Sequence, residues 1–153
     1  MNASELLQRY AAGERDFTGV KLPRVRLLDV NLSRAIFRSA DLSNASLDWT
    51  ILSYADLSYA NLRGARLGEA SLDGVNLEGA DLSGVVCGQT GFFDANLSHV
   101  NLRGAILTET SFDDANLSFA DLRDAQNFSI NRCKKAIFHE TIMPDGSIRS
   151  DNG

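Results

Sequence analysis

The chain reads as an all-β protein, a solenoid of short parallel strands with four sides to each coil, and three observations predict it. Every fifth residue from Phe17 to Leu122 is Leu or Phe at 21 of 22 positions, Cys87 being the exception. Two places before each of these centres, from Val20 to Ala120, stands Ala, Val or Thr without a miss. Finally, residues 91–105, GFFDANLSHVNLRGA, match residues 111–125, SFDDANLSFADLRDA, at nine positions. An unbroken short period means a quasi-one-dimensional protein in which each unit buries its apolar side against the units stacked on it. Inward residues would match at any multiple of five. Outward pairs such as Asp94/Asp114, Asn96/Asn116, Ser98/Ser118 and Arg103/Arg123 match only if residues 20 apart are neighbours, which sets four pentapeptides to a turn.

The first element is a cap over residues 1–14. Asn2-Ala3-Ser4-Glu5 has the spacing of a helix capping box, Leu6, Leu7, Tyr10 and Ala11 can share one face, and Gly13 supplies the stop. A short helix there shields the open edge of the first coil.

The repeat occupies residues 15–140. With the large residue called i, the small residue i−2 and residue i point to one face of an extended segment while i−1 points to the other. Residues i+1 and i+2 must then turn the chain. Position i+2 is Gly at 19, 64, 74, 79, 84 and 104 and Asp or Asn at 29, 44, 94, 114 and 124. Such residues tolerate the positive φ of the second central position of a type II turn. A helix is excluded because a period of five drifts around a 3.6-residue turn and leaves no continuous stripe. Coils about 4.8 Å apart give a rod on the order of 25 Å tall for the 22 units. One extra residue near Gln126-Asn127 shifts the register, so that Phe128, Cys133 and Phe138 continue the centres beyond an expected bulge. Cys87 and Cys133 are read as core fillers on adjacent sides, about 10 Å apart and beyond disulfide reach.

The last element, residues 141–153, is read as a turn and a disordered tail. Pro144-Asp145-Gly146 turns the chain between Thr141-Ile142-Met143 and Ser147-Ile148, and from about 149 on the residues have nothing to bury. This end must be capped or paired, since open strand edges invite pairing.

Strings such as ADLSYANLRGARL (55–67) and GADLSGVVC (79–87) resemble the A(D/N)LXX signature of the pentapeptide-repeat family over roughly residues 15–140. The resemblance implies a right-handed, four-sided parallel β-helix, and dense runs of this kind are especially frequent in cyanobacteria. The departures are Thr50, Thr90 and Thr110 at i−2 and Cys87 at i. Some family members dimerise through the C-terminal edge, and some are DNA mimics that present an acidic rod to a type II topoisomerase.

Composition narrows the function classes. At 153 residues the chain is one domain, without an apolar run of membrane-spanning length or the plan of a secretory signal, so a cytoplasmic location is expected. HExxH, paired CxxC, GxSxG and phosphate-loop patterns do not occur, and His99 and His139, the only histidines, are read as surface residues. No enzyme, cofactor or metal is therefore expected. Basic clusters fit for nucleic acid are missing too: residues 1–76 carry nine basic and nine acidic groups and residues 77–125 carry two against eight.

A binding or scaffold role remains. Trp49, Tyr54 and Tyr59 fall at i+2 of three successive corners, and Phe93 at i+1 and Phe119 at i+2 also face outward. Exposed aromatics are common binding anchors, although each could instead lie flat over a small corner residue, as Tyr59 over Gly79. They are the first candidates for a protein partner, with the acidic patch Asp73, Asp94, Asp113 and Asp114 second. The alternative is a mimic that inhibits or protects gyrase. Against it stand a net charge of only −5 and a ladder of Asp41, Asn61, Asp81, Asn101 and Asp121 lying beside Arg63, Arg103 and Arg123. Monomer and C-terminal-edge homodimer are both compatible with the sequence.

Overall fold

A computed structural model describes residues 1–152. The chain opens with helix α1, Ala3–Ala11, whose first turn is held by Asn2 Oδ1 accepting the Glu5 N–H at 2.9 Å. Leu6 is fully buried on the first coil, and the Tyr10 hydroxyl donates to the Ser33 carbonyl at 2.8 Å. Gly13 follows at φ 101°, where the chain leaves the helix.

From Asp16 onward the chain makes parallel bridges between residues twenty apart, through the i−1 positions: Asp16 with Ile36, Lys21 with Asp41, and so on to Ile106 with Gln126. Two bridges lengthen into strands, β1 (Val86–Gly88) and β2 (Ile106–Thr108), paired in parallel. The corners share one turn. In the first, the Val20 N–H donates to the Phe17 carbonyl at 3.2 Å, with φ +72° at Gly19. The same left-handed φ is found at every i+2 position, including Trp49, Tyr54, Tyr59 and Phe119 at 58–61°.

The backbone donors of one unit can be followed completely. In the unit centred on Leu42, the Asp41 N–H goes to Val20 of the coil before. The Leu42 and Asn44 N–H groups go to Asn61 and Arg63 of the coil after, and the Ala45 N–H closes the corner on Leu42. Only the i+1 donor is left. Asp41 Oδ1 accepts it from Ser43 at 3.0 Å, and takes the Ser43 hydroxyl as well. Asp or Asn at i−1 is thus the acceptor that completes the turn.

Leu and Phe centres fill the interior, with relative exposures of 0–4% from Phe17 to Leu122. Phe17 stacks on Phe37 with ring centroids 5.5 Å apart, and Phe92 on Phe112 at 5.3 Å. The threonines that replace Ala point their hydroxyls at backbone carbonyls. Thr50 bonds Leu27 of the preceding coil, Thr90 bonds Leu67 at 2.6 Å, and Thr110 bonds Thr108 at 3.2 Å. Cys87 and Cys133 are buried and free.

The register shift falls where the extra residue is. Leu107 N–H still meets the carbonyl nineteen residues on, at Gln126, but Phe112 N–H meets Arg132, twenty on. A 3-10 turn, Ile130–Arg132, absorbs the insertion. Cys133 and Phe138 resume the buried centres, whereas Phe128, expected among them, is only partly buried and tilts against Phe112 at 5.9 Å.

One expectation is corrected at the C-terminus. Residues 148–152 are a strand rather than a disordered tail: β4 (Ile148–Asn152) pairs antiparallel with β3 (Ile137–Ile142) around the Pro144-Asp145-Gly146 turn. Strand pairing needs backbone groups, not apolar side chains, and Arg149 adds a guanidinium 4.4 Å over the Phe138 ring. β3 itself continues the stack, bridging back to Asn116 and Asp121.

Candidate interaction surface

The outer surface is built of columns, because stacking sets every corner over the one twenty residues before it. Trp49, Tyr54 and Tyr59 stand on three successive columns, 53%, 58% and 59% exposed. Each is seated on its own neighbour in the next coil. Trp49 Nε1 donates to Glu69 Oε2 at 3.0 Å. The Tyr54 ring lies over Gly74, where an added Cβ would come within 2.5 Å of it, and Tyr59 lies over Gly79 in the same way at 2.6 Å. The flat seating foreseen for Tyr59 is therefore present, yet half of each ring remains in water.

The remaining candidates distribute over two columns. Phe119, 41% exposed, stacks on His99 at 4.7 Å and meets His139 edge-on at 5.1 Å. Phe93, 50% exposed, sits between Asp73 of the coil before and Asp113 of the coil after, and its N–H donates to Asp73 Oδ1 at 3.3 Å. Asp94 and Asp114 occupy the adjoining corner positions at φ 56° and 59°. The acidic patch and Phe93 are thus one surface, and Tyr54 belongs to the same column. Asp113 Oδ1 also accepts the Lys134 N–H at 2.8 Å.

Carboxylates of the ladder, and Asp56 in another column, are engaged locally. Ser43, through its hydroxyl and its N–H, holds Asp41 below its ordinary pKa. Arg123 does the same to Asp121, bonding both carboxylate oxygens, the shorter contact at 2.6 Å. Burial would raise Asp56, but the Ser58 hydroxyl and N–H and the Arg38 guanidinium outweigh it and leave it lowered.

Two concavities were not foreseen. One is a groove of about 280 Å³ on the column of Leu47, Leu67, Cys87 and Leu107, bounded by Trp49, Glu69, Gln89 and Glu109 and floored by Gly68 and Gly88. Its only sequence signal is a pair of glycines at i+1 twenty residues apart. The other is an open depression of about 700 Å³ at the C-terminal end, between Phe128, Ile130, Met143 and Ile148, the last 71% exposed. Among the described residues no cluster of His, Cys, Asp and Glu has the arrangement of a metal site, and no helix is long and apolar enough to cross a membrane.

The pentapeptide-repeat family model matches residues 16–48, 50–86 and 92–126 in eight copies. Among solved structures the chain is similar to Rfr23, a pentapeptide repeat protein from the cyanobacterium Cyanothece 51142. The two are 27% identical over 80% of this chain and 90% of that one, with a TM-score of 0.48. It is also similar to HetL from the cyanobacterium Nostoc sp. strain PCC 7120, described as involved in heterocyst differentiation regulation, at 25% identity over 97% and 100% of the two chains and a TM-score of 0.34. A pentapeptide repeat protein of the Arabidopsis thaliana thylakoid lumen is 31% identical over 67% and 71%, with a TM-score of 0.34. No curated protein matches the chain. With matched repeats running from residue 16 to residue 126 and the corner geometry repeating through them, the chain belongs to the pentapeptide-repeat family.

Proposed function

We propose that this protein is a non-enzymatic interaction or scaffold module. A cap of residues 1–14 and a repeat body of residues 15–140 close as a right-handed, four-sided β-helix that presents its outer columns to a protein partner in the cytoplasm. The observation that carries the reading is the exposure of Trp49, Tyr54 and Tyr59. Each leaves roughly 100 Å² of aromatic surface in water, and covering one is worth about 2.5 kcal/mol at the usual area coefficient. A gyrase mimic remains the second reading, and the pairing of Asp121 with Arg123 and of Asp56 with Arg38 weighs against a uniformly acidic face. The depression around the exposed Ile148, lined by Phe128, Ile130 and Met143 together with Asp145, Arg149 and Asp151, supports a homodimer at the C-terminal edge as the alternative to a monomer.

The test is affinity capture from native cytosol with quantitative mass spectrometry, using wild type and the single variants Trp49→Ser, Tyr54→Ser and Tyr59→Ser. A partner held by wild type and lost from one variant is expected, because each ring stands on its own column. A partner held equally by all four proteins removes the aromatic corners from the reading. Inhibition of gyrase supercoiling by the purified protein would put the mimic first.

A further inference from the structure

We infer that the groove on the Leu47–Leu107 column binds an arginine side chain presented by a basic segment of a partner protein. The inference deepens the interaction reading and rests on it. Of the 22 positions i+1 from Thr18 to Arg123, only Gly68 and Gly88 are glycine, and they stack in successive coils. Neither has a positive φ, so the backbone does not require glycine at either place. What they provide differs: at Gly68 the room is taken by the Asp48 carboxylate, whose Oδ1 would stand 2.7 Å from an added Cβ, whereas at Gly88 the room is left open. A Cβ added at Gly88 would meet nothing within 4 Å, while Asp48 and Thr108 close the two ends of the slot. Its volume of about 280 Å³ lies just under the range of small-molecule pockets, which suits one extended side chain better than a compact ligand.

The walls fix the chemistry of that side chain. Asp48, Glu69 and Glu109 face the groove, and one cation, Arg66, stands beside Asp48 at 3.6 Å. Three carboxylates against one guanidinium leave the slot acidic. The carboxylates are also held in place. Asp48 Oδ1 accepts the Gly68 N–H at 3.0 Å, Glu69 accepts Trp49 Nε1, and Glu109 accepts Gln89 Nε2 at 3.1 Å. Asp48 is further engaged by Arg66, but the bonds to Glu69 and Glu109 each use one of about four acceptor sites on a carboxylate, which leaves these two with acceptor capacity for a ligand. Trp49, half-exposed at the mouth, offers its ring face. A planar guanidinium both stacks on an indole and donates in pairs to carboxylates, whereas an ammonium does only the point-charge part.

Trp49 is the only tryptophan, so its fluorescence reports the groove directly. The experiment titrates the full chain with blocked tetra-arginine and tetra-lysine peptides at low and physiological salt. A saturable change with tetra-arginine is expected, about tenfold tighter than with tetra-lysine, which corresponds to 1.4 kcal/mol. Gly88→Leu, which fills the slot, should weaken it at least about tenfold, and so should Glu69→Gln with Glu109→Gln, two exposed changes that serve if Gly88→Leu does not fold. Asp94→Asn, Asp113→Asn and Asp114→Asn on the other column should leave it unchanged. Equal binding of the two peptides, equal loss on the distant acidic column, or no effect of filling the slot would each overturn the inference. A cytosolic partner lost on Trp49→Ser but kept by Gly88→Leu would end the groove while sparing the interaction reading.

Discussion

Replacing Gly74 or Gly84 with alanine separates what the backbone asks of a corner from what an overlying ring asks. Both glycines have the same left-handed conformation, φ +66° and +67°. At Gly84 an added Cβ meets nothing within 4 Å; at Gly74 it would stand 2.5 Å from two ring atoms of Tyr54. The left-handed backbone costs an L-residue about 1 kcal/mol, so Gly84→Ala should lose about that much. Gly74→Ala incurs the same cost and must also push the Tyr54 ring about 1 Å off its seat to restore van der Waals contact. If roughly 60 Å² of ring contact is given up, the added loss is about 1.5 kcal/mol. Thermal unfolding should then fall by about 3 °C for Gly84→Ala and about 8 °C for Gly74→Ala, for a chain of this size. Adding Tyr54→Ser should bring the Gly74→Ala penalty back to about 1 kcal/mol, the coupling that a double-mutant cycle isolates. Equal penalties at the two glycines in the wild-type background would refute the seating argument. Tyr54 would then be held only by the Arg34 guanidinium, 5.0 Å from its ring centre.

Three further outcomes follow from the interior and the corners. Burial pushes the Cys87 and Cys133 thiols up to about 12, so at pH 8 the thiolate fraction is on the order of 10⁻⁴. Neither should react with a disulfide reagent until guanidinium unfolds the chain, and rapid labelling of the native protein would contradict the placement. Thr90→Val removes the bond to the Leu67 carbonyl and should cost about 1–3 kcal/mol in chemical denaturation, with Thr90→Ser costing less because it keeps the hydroxyl; equal losses would show that the hydroxyl does not matter. Asp41 and Asp121 have folded pKa values below the unfolded carboxylate value of about 3.9, so their stabilisation is complete above about pH 5 and is lost as pH falls through the folded values. Asp121→Asn keeps a turn acceptor, as Asn96 and Asn116 do in their units, but removes the charge. It should flatten the acid limb of denaturation midpoints measured from neutral pH to about pH 2.5, and an unchanged limb would rule Asp121 out as a contributor.

The five-residue period fixes the inside of this protein. Which residues are buried, where the corners lie, that a corner takes a positive φ, and that the first residues form a capping helix were all legible, because each depends on side-chain spacing within one or two units. The extra residue after Gln126 was legible for the same reason, although the fate of Phe128 was not: a 3-10 turn took up the insertion and left that ring only partly buried.

What the tertiary structure decided lies between units. That Asp and Asn at i−1 accept the i+1 N–H does not show in their outward polarity; it becomes visible only when each backbone donor is matched with its partner. Strand β4 escaped because antiparallel pairing draws on backbone groups that every residue carries, so a polar sequence gave no sign of it. The groove escaped because its floor and walls come from residues twenty apart, and two glycines acquire a meaning only when stacking places one over the other. By itself, the sequence determined the period and therefore the core, since packing repeats with every unit. Stacking decided the surface, since an outer column is made of side chains that are distant in the chain and adjacent only once the coils are wound.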